Sequence, residues 1–107
     1  ITPACQTISS TVTYSTNQTI DCGIEITSGG VLTVQGTLTM SDYAFIRIAG
    51  NGMLIVDGGV IENANLVAKY GSNVIIINNG SINLANGKAF SMPKGATMNL
   101  QYGNINN

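Results

Sequence analysis

The chain has 107 residues with four basic and five acidic side chains, so 8% are charged, where an ordinary soluble domain has about 25%. That length suits one domain with one core and excludes a two-domain cleft enzyme. A net charge of -1 with no Lys/Arg cluster excludes recognition of a phosphate backbone, so nucleic acid is not an expected partner.

The first residue is Ile1, with no basic region followed by an apolar one, so the chain reads as a processed or trimmed product. Residues 1–19 are Thr/Ser-rich and are expected to cap a repeat domain over residues 20–107. Cys5 and Cys22 flank that segment with no other metal-type ligand nearby. A disulfide fits them best, contributing about 3 kcal/mol in the chain-entropy model, and such bridges persist in secreted or periplasmic proteins. Two reduced, buried thiols are the alternative, and a zinc site would need two further ligands. Asn17-Gln18-Thr19 is a sequon that matters only in a glycosylating host.

From Ile24 onward the chain repeats. Short alternating stretches (Ile24-Glu-Ile26, Ile46-Arg-Ile48, a weaker Leu66-Val-Ala68, and Phe90-Ser-Met92) are each followed by a turn: Ser28-Gly29-Gly30, Gly50-Asn51-Gly52, Gly71-Ser72-Asn73 and Lys94-Gly95-Ala96. Behind each turn comes a longer segment, and the four superpose: 30–38, 52–61, 73–82 and 96–105. Leu32, Leu54, Ile75 and Met98 fall in one column at steps of 22, 21 and 23; Val34, Val56, Ile77 and Leu100 fall in a second at the same steps. Gly59, Gly80 and Gly103 mark a third column, with Gly36 in its place in a copy one residue shorter.

Gly and Asn tolerate positive φ, so each turn marks a sharp corner between strands, and no helix is expected. Fourteen Ile and seven Val against six Leu agree with strands. Short strands returning in register about every 22 residues predict an all-β, single-stranded, right-handed parallel β-helix of about four coils. An antiparallel sandwich also gives turns every 8–12 residues, but it does not return the same residue classes in register four times. The longest aliphatic run, Val74–Ile77, is far short of the roughly 20 residues of a membrane helix, so membrane insertion is not expected.

The run from Ser28 to Met40, followed by Ala44-Phe-Ile-Arg-Ile-Ala-Gly-Asn-Gly-Met-Leu-Ile-Val-Asp-Gly-Gly-Val-Ile61, resembles the β-helical segments of large secreted surface proteins of Bacteroidetes-type bacteria. The likeness covers roughly residues 20–107. It implies an extracellular scaffold or adhesin-like module at the cell surface, and it implies no activity.

With the two leading columns inward, alternation turns their neighbours outward. Val31, Met53, Ile55, Val74 and Ile76 are then expected as one apolar stripe on a solvent-facing sheet, a feature that usually means a partner: a second copy, another domain, or a chain segment folded over it. In the preceding strand Glu25, Arg47, a polar or small residue and Ser91 form the outward column, with Glu25 and Arg47 as a cross-strand ion pair of at most about 1 kcal/mol. Gln35, Asp57, Asn78 and Gln101 are expected as a turn ladder of stacked side chains. Asn104–Asn107 stops partway through a repeat, so the expectation is a fragment of a longer helix or end-to-end pairing.

The chemistry is sparse. There is no histidine, so a Ser–His nucleophile is excluded. Asp21, Glu25, Asp42, Asp57 and Glu62 fall at different repeat positions rather than as the pair about 5–9.5 Å apart that a glycosidase needs. Asp42 and Asp57 lie in no Asp-rich calcium repeat, so neither a metal nor a cofactor is expected. An ice-binding face would need threonines at one outward position in successive coils, and Thr33 is followed by Ile55 and Ile76. The expected function is a secreted, non-catalytic structural or adhesin-like module that self-associates or contacts protein. The rival is carbohydrate binding, with Tyr43, Tyr70 or Tyr102 as stacking platforms.

Overall fold

The computed structural model describes residues 4–42, 44–85, 95–100 and 103–106. These residues contain no helix; they form β1 (Ala4–Ile8), β2 (Thr11–Tyr14), β3 (Gln18–Ile20), β4 (Gly23–Ile26), β5 (Val31–Val34), β6 (Thr37–Met40) and β7 (Ile46–Ile48). Then follow β8 (Met53–Asp57), β9 (Val60–Ala64), β10 (Leu66–Ala68), β11 (Asn73–Ile77), β12 (Ser81–Leu84), β13 (Thr97–Leu100) and β14 (Asn104–Asn106).

Every third strand stacks on the one before it. Sheet 1 runs β1-β4-β7-β10, sheet 2 runs β2-β5-β8-β11-β13 and sheet 3 runs β3-β6-β9-β12-β14. All pairings are parallel, so the chain is a β-solenoid of about four coils. Residues 4–20, most of them in the 1–19 segment expected as a cap, carry β1, β2 and β3 in register on β4, β5 and β6. Of their inward side chains Ile8 is buried, while Val12, Tyr14 and Ile20 pack on the core and stay half-buried.

Alternation does the sorting that a parallel stack requires. β5 and β6 read half-buried, buried, half-buried, buried along their four residues. The inward columns from the three sheets meet in a single core containing Ile24, Ile26, Leu32, Val34, Leu38, Ile46, Ile48, Leu54, Val56 and Ile61, each at most 1% exposed.

In one coil the alternation expected from sequence is out of phase. Leu32, Leu54, Val74 and Met98 share a register column, as do Val34, Val56, Ile76 and Leu100. Val74 and Ile76 are therefore inward and fully buried, while Ile75 and Ile77 are half-buried on the outer face. The corner between sheets 2 and 3 explains the slip. Two residues separate Val34 from Thr37, three separate Val56 from Val60, and four separate Ile76 from Ser81, although each set shares its columns. Counting back from Gly80 thus places β11 one residue off, and a one-residue shift exchanges the faces of a strand.

Two corner features hold the coils in step. Gly29, Asn51, Gly71 and Gly95 all have positive φ, between 63° and 88°. Each of the first three donates its backbone N–H to the carbonyl of the next, at 3.1 Å in every case, so the left-handed residues themselves form a ladder. At the other corner the coils approach closely: a Cβ on Gly59 would lie 2.6 Å from the carbonyl oxygens of both Gly36 and Val34, so only hydrogen fits.

Candidate functional site

The outer face of sheet 2 carries the apolar stripe, with changed membership. Val31 and Met53 share one outward column; Thr33, Ile55 and Ile75 share the next; Ile77 stands beside Asp57. All are half-buried, as side chains lying flat on a sheet surface are. Val31, Met53 and Ile55 are where the sequence puts them. Val74 and Ile76 are not on this face: both are 0% exposed and belong to the core, and Ile75 and Ile77 take their places. Thr11 and Thr13 border the stripe on one side, Asn73 and Asn99 on the other.

Sheet 1 presents a different surface. Its outward column is Thr7, Glu25, Arg47 and Val67, so the third member is a valine, not polar, and Ser91 lies outside the described residues. Glu25 stands opposite Arg47 as the spacing predicts. The expected ion pair is not closed; the guanidinium lies over the Phe45 ring, 5.4 Å from its centroid. Lys69 follows β10 and donates its backbone N–H to Ile48 O at 3.0 Å, which seats it beside Ala49 on the neighbouring coil. Glu25, Arg47, Ala49, Val67 and Lys69 together line an open groove of about 280 Å³. Ala49 and Val67 are its short apolar members, and Glu25, Arg47 and Lys69 its long charged ones.

The acids are spread out, and three of them are occupied. Asn63 Nδ2 donates to Asp42 Oδ1 and to Met40 O, both at 2.9 Å. Asn78 Nδ2 donates to Asp57 Oδ1 at 2.6 Å, so the expected turn ladder exists at these two members. Asn83 Nδ2 donates to Glu62 Oε1. In every pair the amide follows its carboxylate by 21 residues, one coil on. Asn63 sits where β9 and β12 slip register and has φ 58°, a bulge conformation that aims its amide back at the preceding coil. No group of three or more His, Cys, Asp or Glu that could hold a metal occurs among the described residues.

Of the three tyrosines singled out, Tyr43 and Tyr102 lie outside the described residues. Tyr70 is 74% exposed, the one large exposed apolar side chain among the described residues. It lies at the corner directly after Lys69, with its ring against Gly95 of the next coil in the space a Cβ would need. The register places Cys5 at the β1 bulge opposite the start of β4, which Cys22 immediately precedes.

The groove and two of the acid–amide pairs were not anticipated. The signals were present: Asp42/Asn63 and Glu62/Asn83 share the separation of Asp57/Asn78, and Lys69 follows Arg47 by 22 residues. No known family model, no curated protein and no solved structure matches this chain.

Proposed function

We propose that the chain is a secreted, non-catalytic structural or adhesin-like module, resembling the β-helical segments of bacterial surface proteins, that pairs with a second copy through the outer face of sheet 2. The observation that carries this reading is the continuous stripe Val31, Met53, Ile55, Ile75 and Ile77 on a face built from stacked strands. The partner is a second copy because the stripe centres on β8, the middle strand of five. A two-fold axis there lays Ile55 of each copy on the other and brings Thr-bordered edges against Asn-bordered ones, the self-complementarity an isologous contact needs. A net charge of -1 opposes such pairing little.

The contact is small. Five strands about 4.8 Å apart and four to five residues of about 3.3 Å each give roughly 360 Å² per partner, less than half of the ~800 Å² of a standard interface. Pairing is therefore weak and gains strength only where several modules act together, as on a cell surface. Winding is right-handed, as parallel crossovers are in about 98% of cases. A Cys5–Cys22 disulfide clamps the first coil to the second; Cys22 carries no free thiol, and Cys5 is the only other cysteine.

The test is solution mass by light scattering from micromolar into the roughly millimolar range, for the native chain and an Ile55→Glu/Ile75→Glu variant that circular dichroism shows folded. The native mass should rise with concentration and the variant should stay monomeric. Two monomers throughout, or equal association of both, overturns the reading. A second reading, saccharide binding, is favoured by the groove on sheet 1 and by exposed Tyr70, the residue next in sequence to its lining residue Lys69.

A further inference from the structure

We propose that the sheet 1 groove binds a carboxylate-bearing saccharide, its carboxylate held between Arg47 and Lys69 and its apolar ring face against Tyr70. This rests on the saccharide reading and is independent of pairing through sheet 2.

Charge placement is the first support. Arg47 and Lys69 are the two cationic side chains among the described residues, and the fold brings both to one groove on adjacent coils. Glu25 leaves the groove with a net charge of +1 on a chain whose overall charge is -1. A narrow patch of opposite sign to the molecule concentrates anions there.

Preorganisation is the second. Stacking on Phe45 fixes the plane of the Arg47 guanidinium, and a fixed planar fork matches a carboxylate with two parallel N–H donors. Lys69 supplies a movable point charge from the adjacent coil. The Tyr70 ring is held against the Gly95 corner, so it offers a flat face without first being ordered.

What the groove lacks decides between ligand classes. The groove lies on the outer face of sheet 1, where side chains stand out from the sheet while the backbone bonds run between stacked strands in its plane. A peptide seated on that face does not add as a strand, because strand addition takes place at a sheet edge and the face presents side chains. Recognition falls to side chains alone: two cations for an acid group, the Glu25 carboxylate to accept from hydroxyls, Ala49 and Val67 as short apolar members, and one aromatic face. That set matches a uronate ring, which carries a carboxylate, hydroxyls and a C–H face together.

The experiment titrates a uronic-acid hexasaccharide into the 15N-labelled chain at low salt, with a neutral glucose hexasaccharide and a hexaglutamate peptide as comparisons. The expected result is saturable shifts at Arg47 Nε–H and at the amides of Ala49, Val67, Lys69 and Tyr70 with the uronate alone. Arg47→Gln/Lys69→Gln should weaken affinity at least tenfold, and Arg47→Lys should lose several-fold because charge remains without the stacked fork. Ile75→Glu should bind as the native chain does, which separates this site from the sheet 2 face. Equal binding of the neutral hexamer, equal binding of hexaglutamate, or uronate shifts that map elsewhere or survive the double variant unchanged each overturn the proposal. The native shift map needs no variant, so a misfolded substitution does not shelter it.

Discussion

Ile75 and Ile76 are adjacent, identical in chemistry and assigned to opposite faces of β11, so the pair of alanine variants tests the register directly. Ile76 is 0% exposed beneath Val56 and Leu100 in the stack. Replacing it with Ala removes three carbons, about 2.4 kcal/mol at about 0.8 kcal/mol per buried methylene, and adds a cavity cost that brings the loss to about 3–4 kcal/mol. A domain of this size is stable by about 5–15 kcal/mol, so the variant still folds but with a large part of its margin gone. Ile75 is half-buried on the outer face beside Ile55, and its replacement costs about 1 kcal/mol or less. Urea unfolding followed by circular dichroism and by tyrosine fluorescence reads the difference, with coincident transitions licensing the comparison. At a slope of about 1–3 kcal/mol per molar, the two midpoints should differ by about 1–3 M. Equal midpoints, or the lower one at Ile75→Ala, would return Ile75 and Ile77 to the core and dissolve the outer stripe as described.

Three further expectations use the same assay. Gly59→Ala should cost more than about 2 kcal/mol because its Cβ meets two carbonyl oxygens at 2.6 Å, whereas Gly58→Asn, at φ 74° and equivalent to Asn78 at φ 54° one coil on, should be neutral within about 0.5 kcal/mol; similar losses at both would refute the close-approach account. Asn63→Ala should cost about 1–3 kcal/mol by removing the bonds to Met40 O and Asp42 and placing a methyl side chain at φ 58°, and Asn63→Gly should recover only the backbone part; full recovery by Gly would leave the side-chain bonds without a role. Burial raises the Tyr14 phenol above its ordinary 10.0, so the unfolded chain releases that proton first: the contribution is fully present below pH 10 and is lost as pH rises through the raised folded value. Tyr14→Phe should lack this alkaline fall, and parallel pH profiles for the two chains would contradict it.

The parallel stack was legible because its signal is redundant. Leu32 and Leu54, Val34 and Val56, and the glycines 36, 59, 80 and 103 all return together, and a sandwich has no reason to repeat them in register. The faces of β11 were not legible from the same signal. Val74 to Ile77 is apolar at every position, so alternation is silent there, and the only remaining anchor, Gly80, lies beyond a corner one residue longer than that of the preceding coil. The groove escaped for a related reason. Lys69 lies one residue past the Leu66–Ala68 stretch that the periodicity marks, and its place beside Ala49 is set by a backbone bond to Ile48. Tyr70 was singled out from its residue type, but its support by Gly95 is a contact between coils that no local pattern contains.

In-register stacking also accounts for the scarcity of charge. Equivalent outward side chains on successive coils stand about 4.8 Å apart, where two like charges repel by about 0.9 kcal/mol even in water, and a charge repeated along a column would multiply that cost. The acids obey this constraint. Glu62 has Thr39 opposite it on one side, and Asp42, Asp57 and Glu62 each meet an asparagine amide from the next coil rather than another carboxylate. A donor amide both satisfies the carboxylate and ties two coils together, so these charges strengthen the stack instead of opposing it. Arg47 and Lys69 obey it too: they lie on adjacent coils of one sheet face but in neighbouring columns, Arg47 between Glu25 and Val67 and Lys69 beside Ala49, with Glu25 as the only acid lining the groove they share. The two cations are thus gathered at one place on the face without a charge being repeated along the stack. Among the described residues Asp42, Asp57 and Glu62 are each answered by an amide, while both cations meet in one groove, where an anion is attracted by the two together.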